Sequence, residues 1–438
     1  MAREMQLQLS HEELGDIESA GDVAARLRAL VPAGESVAPR VAEIIGEVRA
    51  GGDRALERLT RELDTGGADP PALLVDGREL DAAIKAVALD VVAGLQVAIT
   101  NVALVAEAGV AHDAAVDLPQ GQRVTLRDIP VRSAAVYVPA GRAPYPSTVV
   151  MGVVTARAAG VVDVAVCAPP GRSGDVDPLI LGTCRLCGVE RIYRMGGAQA
   201  IAALAYGTET VDAVDVIVGP GNLYVQEAKR QVSGVVGIDG FQGPSDMLVV
   251  LGADADERDA ELAALDMLAQ AEHGAGSIVV AAVASAGLAE ALERAIDAHS
   301  TDGAERSPAV GVIVRCPDAR AAVALANRFA PEHLELIGAD AEALAPLVTS
   351  AGCLFVGPAS ATAFGDYVAG SNHVLPTAGA ARFSSTLSPR DFRRRMAEVR
   401  IGGGAQKLAA AGAPLARAEG FEMHARSMLA RVGDNEEP

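Results

Sequence analysis

Four of the seven histidines stand beside a predicted helix end, a glycine-containing loop or a carboxylate, and these are the side chains equipped for acid–base or metal chemistry. His273 ends the run Gln270-Ala271-Glu272-His273-Gly274. Gln270 and His273 share one face of a helix at this spacing and could hold a metal. A cationic residue before a capping glycine is also stabilising in its own right. In Pro331-Glu332-His333-Leu334, an adjacent Glu and His could supply general base and general acid together, or could form a polar turn. Asp366 and His373 flank a loop, Tyr367-Val368-Ala369-Gly370-Ser371-Asn372, that could bring carboxylate and imidazole to one site. Asn372 and His373 are equally ordinary turn residues. Glu419 and His424 fall five apart in a predicted last helix, pointing about 140° apart around its axis. His11, His112 and His299 sit in polar or helical contexts and are given no role.

These side chains need a scaffold, and the hydrophobic periodicity describes one. Residues 1–110 read mostly as helices, at Val23–Val31, Val37–Leu63 and Arg78–Ala108, with Asp64–Pro71 as a separator. From about residue 124 strands and helices alternate. Strands are expected at Ala134–Val138, Asp163–Ala168, Arg191–Met195 and Asp215–Val218, each followed by a helix. The register repeats with strands at Met247–Leu251, Ser277–Ala282, Val310–Arg315, Leu334–Ile337 and Cys353–Val356. Alternation of this kind means parallel, doubly wound sheets. The expected fold is therefore α/β: two Rossmann-like doubly wound domains, a helical N-terminal segment and a small C-terminal helical arm. The G-x-G-x-x-G fingerprint is missing, and Gly219-Pro220-Gly221-Asn222 is its nearest approach. Residues 357–387 read as loops, and the last helix as Pro414–Val432, with Pro414 in its first turn and an acidic tail Asn435–Pro438 beyond.

Composition narrows the partners. A net charge of −20 repels nucleic acid and anionic membranes, so an anionic ligand must be held by local N–H groups. The basic cluster Arg390, Arg393, Arg394, Arg395 and Arg400 reads as a solvated helix face or a subunit contact. Five scattered cysteines make no disulfide framework, and Cys184 with Cys187 reads as one helix face. The acidic opening residues do not read as a signal peptide, and Arg157 and Asp163 interrupt the most apolar stretch, Ser147–Ala168. A cytoplasmic setting is expected.

The same residues sit in strings whose order resembles histidinol dehydrogenase. The strings are Tyr137-Val138-Pro139-Ala140-Gly141, Gly196-Gly197-Ala198-Gln199-Ala200, Gly219-Pro220-Gly221-Asn222, Gly243-Pro244-Ser245, Gln270-Ala271-Glu272-His273, Pro331-Glu332-His333-Leu334, Gly365-Asp366-Tyr367, Gly370-Ser371-Asn372-His373-Val374-Leu375-Pro376-Thr377, and Glu419-Gly420-Phe421 with His424. The resemblance runs from about residue 20 to 432. It departs at Ala140, where the family often has glycine.

The resemblance implies an NAD-dependent, two-step, four-electron oxidation of L-histidinol through histidinaldehyde to L-histidine, in histidine biosynthesis. It implies one Zn2+ per subunit on Gln270, His273, Asp366 and His424, and Glu332 and His333 as the acid–base pair. Ser245, His373 and Glu419 would join these residues in binding substrate, and Tyr137, Gln199 and Asn222 would contact NAD. It also implies a homodimer with shared active sites. The corresponding division is an N-terminal segment 1–133 belonging to the first α/β domain, an NAD-contacting domain 134–243, the first domain continued over 244–378, and a dimerisation arm 379–438. Two other functions use the same residues: a zinc-dependent amide or ester hydrolase in which Glu332 activates water, and a non-catalytic ligand-binding paralogue.

Overall fold

The structure is a computed structural model, and it describes residues 5–31, 36–69, 71–139, 143–240, 243–299 and 305–432. Ala140, Gly141 and the tail Asn435–Pro438 lie outside the described residues. The chain forms two compact units, Met1–Gly109 with Arg132–Phe392, and Val110–Val131 with Arg393–Pro438.

The larger unit holds two large parallel sheets whose central strands are short and almost wholly apolar. Strands buried on both faces have no need of a polar alternation. The five-stranded sheet runs Arg191–Arg194, Asp163–Ala168, Ser133–Tyr137, Val216–Val218, Gly237–Ile238. In chain order this is 3-2-1-4-5, so the winding reverses between Ser133–Tyr137 and Val216–Val218. A crevice opens at the carboxyl ends of strands at such a reversal. Ala135 and Tyr137 face one core, with Ala165, Cys167, Leu56 and Leu59. Val136 faces the other way, onto the helix Pro146–Ala158, where a Cβ on Gly152 would come within 2.6 Å of its side chain. Glycine is what lets that helix lie against the strand.

The six-stranded sheet runs Cys353–Val356, His333–Ile337, Asp246–Leu251, Ile278–Val283, Val310–Arg315, Leu9–Glu13, all parallel. Alternate residues of its central strands enter separate cores. Leu248 and Val250 pack with Phe329 and Leu325, while Met247, Val249 and Leu251 pack with Ala260, Met267 and Leu292. Helices therefore cover both faces, and the architecture is the expected doubly wound α/β.

The N-terminal segment differs from the helical reading. Leu9–Glu13 is an edge strand paired with Val310–Arg315, and Met5–Gln6 pairs with Glu305–Arg306. The sequence Leu-Ser-His-Glu-Glu carries too few apolar residues to register as a strand; edge position makes that tolerable. The helix expected over Arg78–Ala108 is two, Gly77–Ala86 and Leu89–Ala108, broken where Val87 and Ala88 are extended. Leu89–Ala108 has the length and apolar composition to cross a membrane; here its Leu95, Ala98, Val102 and Ala106 are buried, and it packs against Pro146–Ala158.

The smaller unit corrects two expectations. Arg393–Arg400 is a strand, antiparallel to Arg123–Pro130, which also pairs with Ala114–Asp117, so the basic cluster is no helix face. Arg393 and Arg395 alternate onto one side and both reach Asp128, holding its carboxyl below the usual range. The single last helix is a pair, Ala405–Ala418 and Glu422–Leu429, with Pro414 inside the first rather than at its start. Glu419 caps the first, Gly420 turns at φ 82°, and His424 lies in the second, so the 140° relation expected of one helix does not apply.

A buried ion pair fixes the turn after Val216–Val218. Lys229 and Asp239, each with 1% side-chain exposure, meet at 2.6 Å. Asp239 accepts the Gly219 N–H at 2.6 Å, and Lys229 donates to the Gly219 carbonyl. Gly219 has φ 116°, and a Cβ there would lie 2.1 Å from the Tyr137 carbonyl oxygen, so no other residue fits. Lys229→Met would strand Asp239 as a buried charge and should cost about 3–5 kcal/mol in urea unfolding. Adding Asp239→Asn, which keeps an acceptor for Gly219 N–H, should recover much of the loss. A loss below about 1 kcal/mol in the single variant would show that the pair is not the lock described.

Candidate active site

The helix Glu257–Ala271 opens on a reciprocal cap between Asp256 and Asp259 and buries Ala260, Ala263, Ala264, Met267 and Ala271. That face carries Asp266 and Gln270 inward at i, i+4 spacing. Gln270 is 2% exposed. Its Oε1 accepts from Ser245 Oγ at 3.0 Å, and its Nε2 donates to Asp366 Oδ2 at 3.3 Å and Thr362 Oγ1 at 3.4 Å. His273 follows the helix end directly. Burial pushes its ring below the usual value, and Asp366 and His333 lie within electrostatic reach.

Asp366 joins the cluster from a short helix, Thr362–Tyr367, inside the segment expected to be loop. Its Oδ1 accepts from His333 Nε2 at 3.2 Å. Its backbone carbonyl accepts from His373 Nδ1 at 2.9 Å. A carbonyl only accepts, so Nδ1 of His373 carries the proton and Nε2 is the acceptor, facing Thr148 Oγ1 at 3.3 Å. Burial lowers the His373 pKa and keeps that ring neutral. Thr148 was not among the residues singled out from sequence; it lies in the first turns of Pro146–Ala158, a largely apolar helix that offers no local signal.

Glu332 and His333 open the central strand His333–Ile337, at 8% and 3% exposure. Burial pushes the Glu332 carboxyl up to about 7, with Asp246 adding to the shift and His333 opposing it. Burial acts against the charged form of His333, but the Glu332 and Asp366 carboxylates outweigh it and raise its pKa. His333 Nδ1 is buried without a hydrogen-bond partner, 3.7 Å from Glu332 Oε2. The arrangement is a carboxylate–imidazole pair with one ring nitrogen anchored and one free, beside a carboxyl that changes charge near neutrality. It can accept, hold and return protons.

Ser245, Gln270, Glu332, His333, Asp366 and His373 are thus joined in one network, with His273 beside it. Glu419 and His424 belong to the smaller unit, where Phe421 and His424 rings meet at 5.1 Å. Among the described residues no three His, Cys, Asp or Glu side chains are grouped as a metal cage. The chemistry of the donors nevertheless suits a divalent cation: an amide oxygen, an imidazole whose pKa lies below the usual value, and Asp366, which His333 holds ionised against its own desolvation.

At the reversal of the five-stranded sheet, Tyr137 is 3% exposed and its hydroxyl accepts from Gly197 N at 3.1 Å. Gln199 is 1% exposed and donates to Asp64 Oδ2 at 3.1 Å, leaving Oε1 without a partner. Burial lifts Asp64 to about 6, against hydrogen bonds from Gln199 and Gly196. Asp64 was passed over as part of a separator between helices. Asn222 caps the helix Leu223–Val232, its Oδ1 accepting from Tyr224 N and Val225 N. A helix N-terminus at the carboxyl end of a parallel strand is suited to a phosphate-bearing ligand.

Glu335, two residues beyond His333, is wholly buried. No N–H or hydroxyl reaches its oxygens among the described residues, and its partner is the Asp266 carboxyl. Burial, and then Asp266, hold Glu335 protonated well above the usual carboxylate range. A carboxyl whose native pKa exceeds its unfolded value stabilises the fold at low pH and loses that contribution as pH rises through the native value. Glu335→Gln should therefore flatten the fall in melting temperature as pH rises above the usual carboxylate range. An unchanged slope in a thermal unfolding series would disprove the shared proton.

The family model for histidinol dehydrogenase matches residues 31–432. The chain is 43% identical over 423 residues to the histidinol dehydrogenase of Rhizobium meliloti, covering 95% of this chain and 96% of that one. It is 41% identical over 405 residues to the histidinol dehydrogenase of Parasynechococcus marenigrum, at 91% and 92% coverage. The crystal structure of histidinol dehydrogenase from Elizabethkingia anophelis superposes with a TM-score of 0.87 at 28% identity, covering 98% of each chain. With the acid–base pair, the donor set and the doubly wound sheets already in place, this chain belongs to the histidinol dehydrogenase family of NAD-linked oxidoreductases.

Proposed function

We propose that the Ser245–Gln270–Glu332–His333–Asp366–His373 network is the substrate site for oxidation of L-histidinol to L-histidine by two successive hydride transfers to NAD. The observation that carries this reading is the buried Glu332–His333 pair, with His333 Nε2 anchored on Asp366 and Nδ1 free.

In the first half-reaction His333 takes the hydroxyl proton as hydride leaves the carbinol carbon. Asp366 fixes the ring and offsets the positive charge that develops on it. The aldehyde then takes up water across its carbonyl. Glu332, balanced near neutrality, accepts the water proton, and loss of a second hydride gives the carboxylate. Ser245 and His373 flank the cluster and would hold the substrate, with Glu419. NAD, when bound, accepts each hydride; its place would be the crevice above Tyr137, Gln199 and Asn222, within residues 134–243. Gln270, His273, Asp366 and His424 would hold one Zn2+, which when bound would orient and polarise the substrate. Residues 379–438, with His424 and Glu419, would reach the site from a partner subunit in a homodimer. Free cysteines at all five positions agree with a cytoplasmic setting.

Two NADH should form per histidinol consumed; one, with aldehyde accumulating, would refute the two-step reading. Glu332→Gln should damage oxidation of supplied aldehyde far more than that of the alcohol, by about 10²–10⁴-fold, and His333→Asn should damage alcohol oxidation. For the wild type, aldehyde oxidation should rise with pH through about 7 as Glu332 ionises, and Glu332→Gln should lose that limb. Equal damage to both half-reactions in both variants would remove the division of labour. Chelation should abolish turnover while the far-ultraviolet circular dichroism stays intact, because Asp366 is the single anionic ligand proposed. Mixing inactive His424→Ala and His273→Ala homodimers should restore about a quarter of wild-type activity, since random pairing makes half the dimers mixed with one intact site each. No recovery after verified exchange would place each site within one subunit.

A further inference from the structure

The Glu332–His333 turn is held by an ion pair that touches none of the proposed substrate or metal ligands except through Glu332 and the strand start. Asp246, the first residue of Asp246–Leu251, has 2% side-chain exposure and accepts four N–H bonds, two on each oxygen. Oδ1 takes Glu332 N at 2.7 Å and Arg28 Nη2 at 3.3 Å; Oδ2 takes Arg28 Nη1 at 2.7 Å and Ala378 N at 2.7 Å. Glu332 answers in kind, its Oε2 accepting Asp246 N at 3.2 Å. Arg28, from the N-terminal helix Ala20–Ala29, also donates to the carbonyls of Phe329 at 2.6 Å and Ala330 at 3.2 Å. Its guanidinium lies 3.7 Å over the Phe329 ring. The pair thus grips the chain on both sides of Pro331, at the Ala330 carbonyl and the Glu332 N–H.

A second observation points the same way. Among the described residues two non-glycines have positive φ, Ala330 at 50° and Ala378 at 54°. Both meet this pair: the Ala330 carbonyl accepts from Arg28, and the Ala378 N–H donates to Asp246. Left-handed alanine persists only where surroundings impose it, and such conformations gather at functional sites.

We propose that Arg28 and Asp246 are positioning residues, which fix the backbone and carboxylate of Glu332 in the geometry for activating water in the aldehyde half-reaction. This rests on the reading of Glu332 as an acid–base group. Asparagine cannot replace Asp246, because its amide nitrogen would face N–H donors where an oxygen now accepts. Lysine in place of Arg28 keeps the charge but not the fork that spans carboxylate and two carbonyls.

The test compares Asp246→Asn, Arg28→Lys, Glu332→Gln and the double variant Asp246→Asn/Glu332→Gln, as full-length metal- and NAD-supplied enzyme, with kcat referred to folded protein by circular dichroism. Asp246→Asn should lower kcat for supplied aldehyde by about 10- to 100-fold, part of what a positioned acid–base group supplies, with KM for histidinol and NAD changed less than about threefold. Arg28→Lys keeps the charge and should fall between wild type and Asp246→Asn. The double variant should be nearly as active as Glu332→Gln alone, because Asp246 acts through Glu332. Wild-type kcat in Asp246→Asn and Arg28→Lys, or a full further loss in the double variant, would overturn the proposal while leaving the acid–base reading intact. A rise in histidinol KM with unchanged kcat would overturn it in favour of action through Ser245. Wild-type aldehyde oxidation by Glu332→Gln would overturn the acid–base reading and this proposal with it.

Discussion

The site depends on one partly buried carboxylate. Asp366 takes His333 on one oxygen and Gln270 on the other, and its main-chain carbonyl holds His373. A lone ionised carboxyl removed from water would simply protonate. Here His333 outweighs burial and keeps Asp366 charged, and in return Asp366 helps to keep His333 basic. Each group makes the other's state affordable, so the network stands or falls together. That mutual dependence explains why residues about 100 positions apart in the chain, such as Gln270 and Asp366, must be delivered to one place by a rigid scaffold.

The scaffold sorts charge by helix direction. On the five-stranded sheet, the candidate cofactor crevice lies at the carboxyl ends of Ser133–Tyr137 and Val216–Val218, where Leu223–Val232 presents its N-terminal end. On the six-stranded sheet, Asp246 and His333 stand at the amino ends of their strands; His333 follows the C-terminal end of Ala319–Phe329, and Gln270 at the C-terminal end of Glu257–Ala271 reaches Ser245 beside Asp246. The first setting carries partial positive charge and the second partial negative. An anionic cofactor and a cation with imidazole groups are thereby suited to opposite ends of two similar layer systems. The helix Pro146–Ala158 connects them: it begins after the first strand of one sheet, and its Thr148 and Thr155 reach His373 and Asn372 of the other site's loop.

What could be read from the sequence follows from how local each signal is. The central strands were legible because parallel strands buried on both faces are uninterrupted apolar runs, as in Met247–Leu251. Glu332–His333 and Gln270–His273 stood out because their spacing allows acid–base or metal chemistry, and the strings around them follow the order of histidinol dehydrogenase. The edge strand Leu9–Glu13 was not, since its pairing with Val310–Arg315 is set some 300 residues away. Arg393–Arg400 was not read as a strand because clustered arginines look like a solvated helix face; the partner of Arg393 and Arg395, Asp128, is visible only once the strand is paired with Arg123–Pro130. Pro414 argued for a helix start and instead lies within Ala405–Ala418, the turn at Gly420 being the true break. Arg28, Asp246, Asp64 and Thr148 carry no local mark at all. Each acquires meaning from partners distant in the chain.

Arg28 and Asp246 also show where stability has been set against precision. Two alanines held at positive φ cost on the order of 1–3 kcal/mol each, and glycine at either position would avoid the cost. Glycine would also release the backbone that the four-donor carboxylate fixes. The helix Ala20–Ala29 buries Ala20, Val23, Ala24 and Leu27 against the core beside Phe329, which anchors Arg28 from a part of the chain with no catalytic pattern of its own. A strained turn is therefore tied at both ends to rigid apolar layers. The N-terminal segment does more than cover the sheet: through one guanidinium it grips Asp246 and the Phe329 and Ala330 carbonyls, directly before the proposed acid–base pair Glu332–His333.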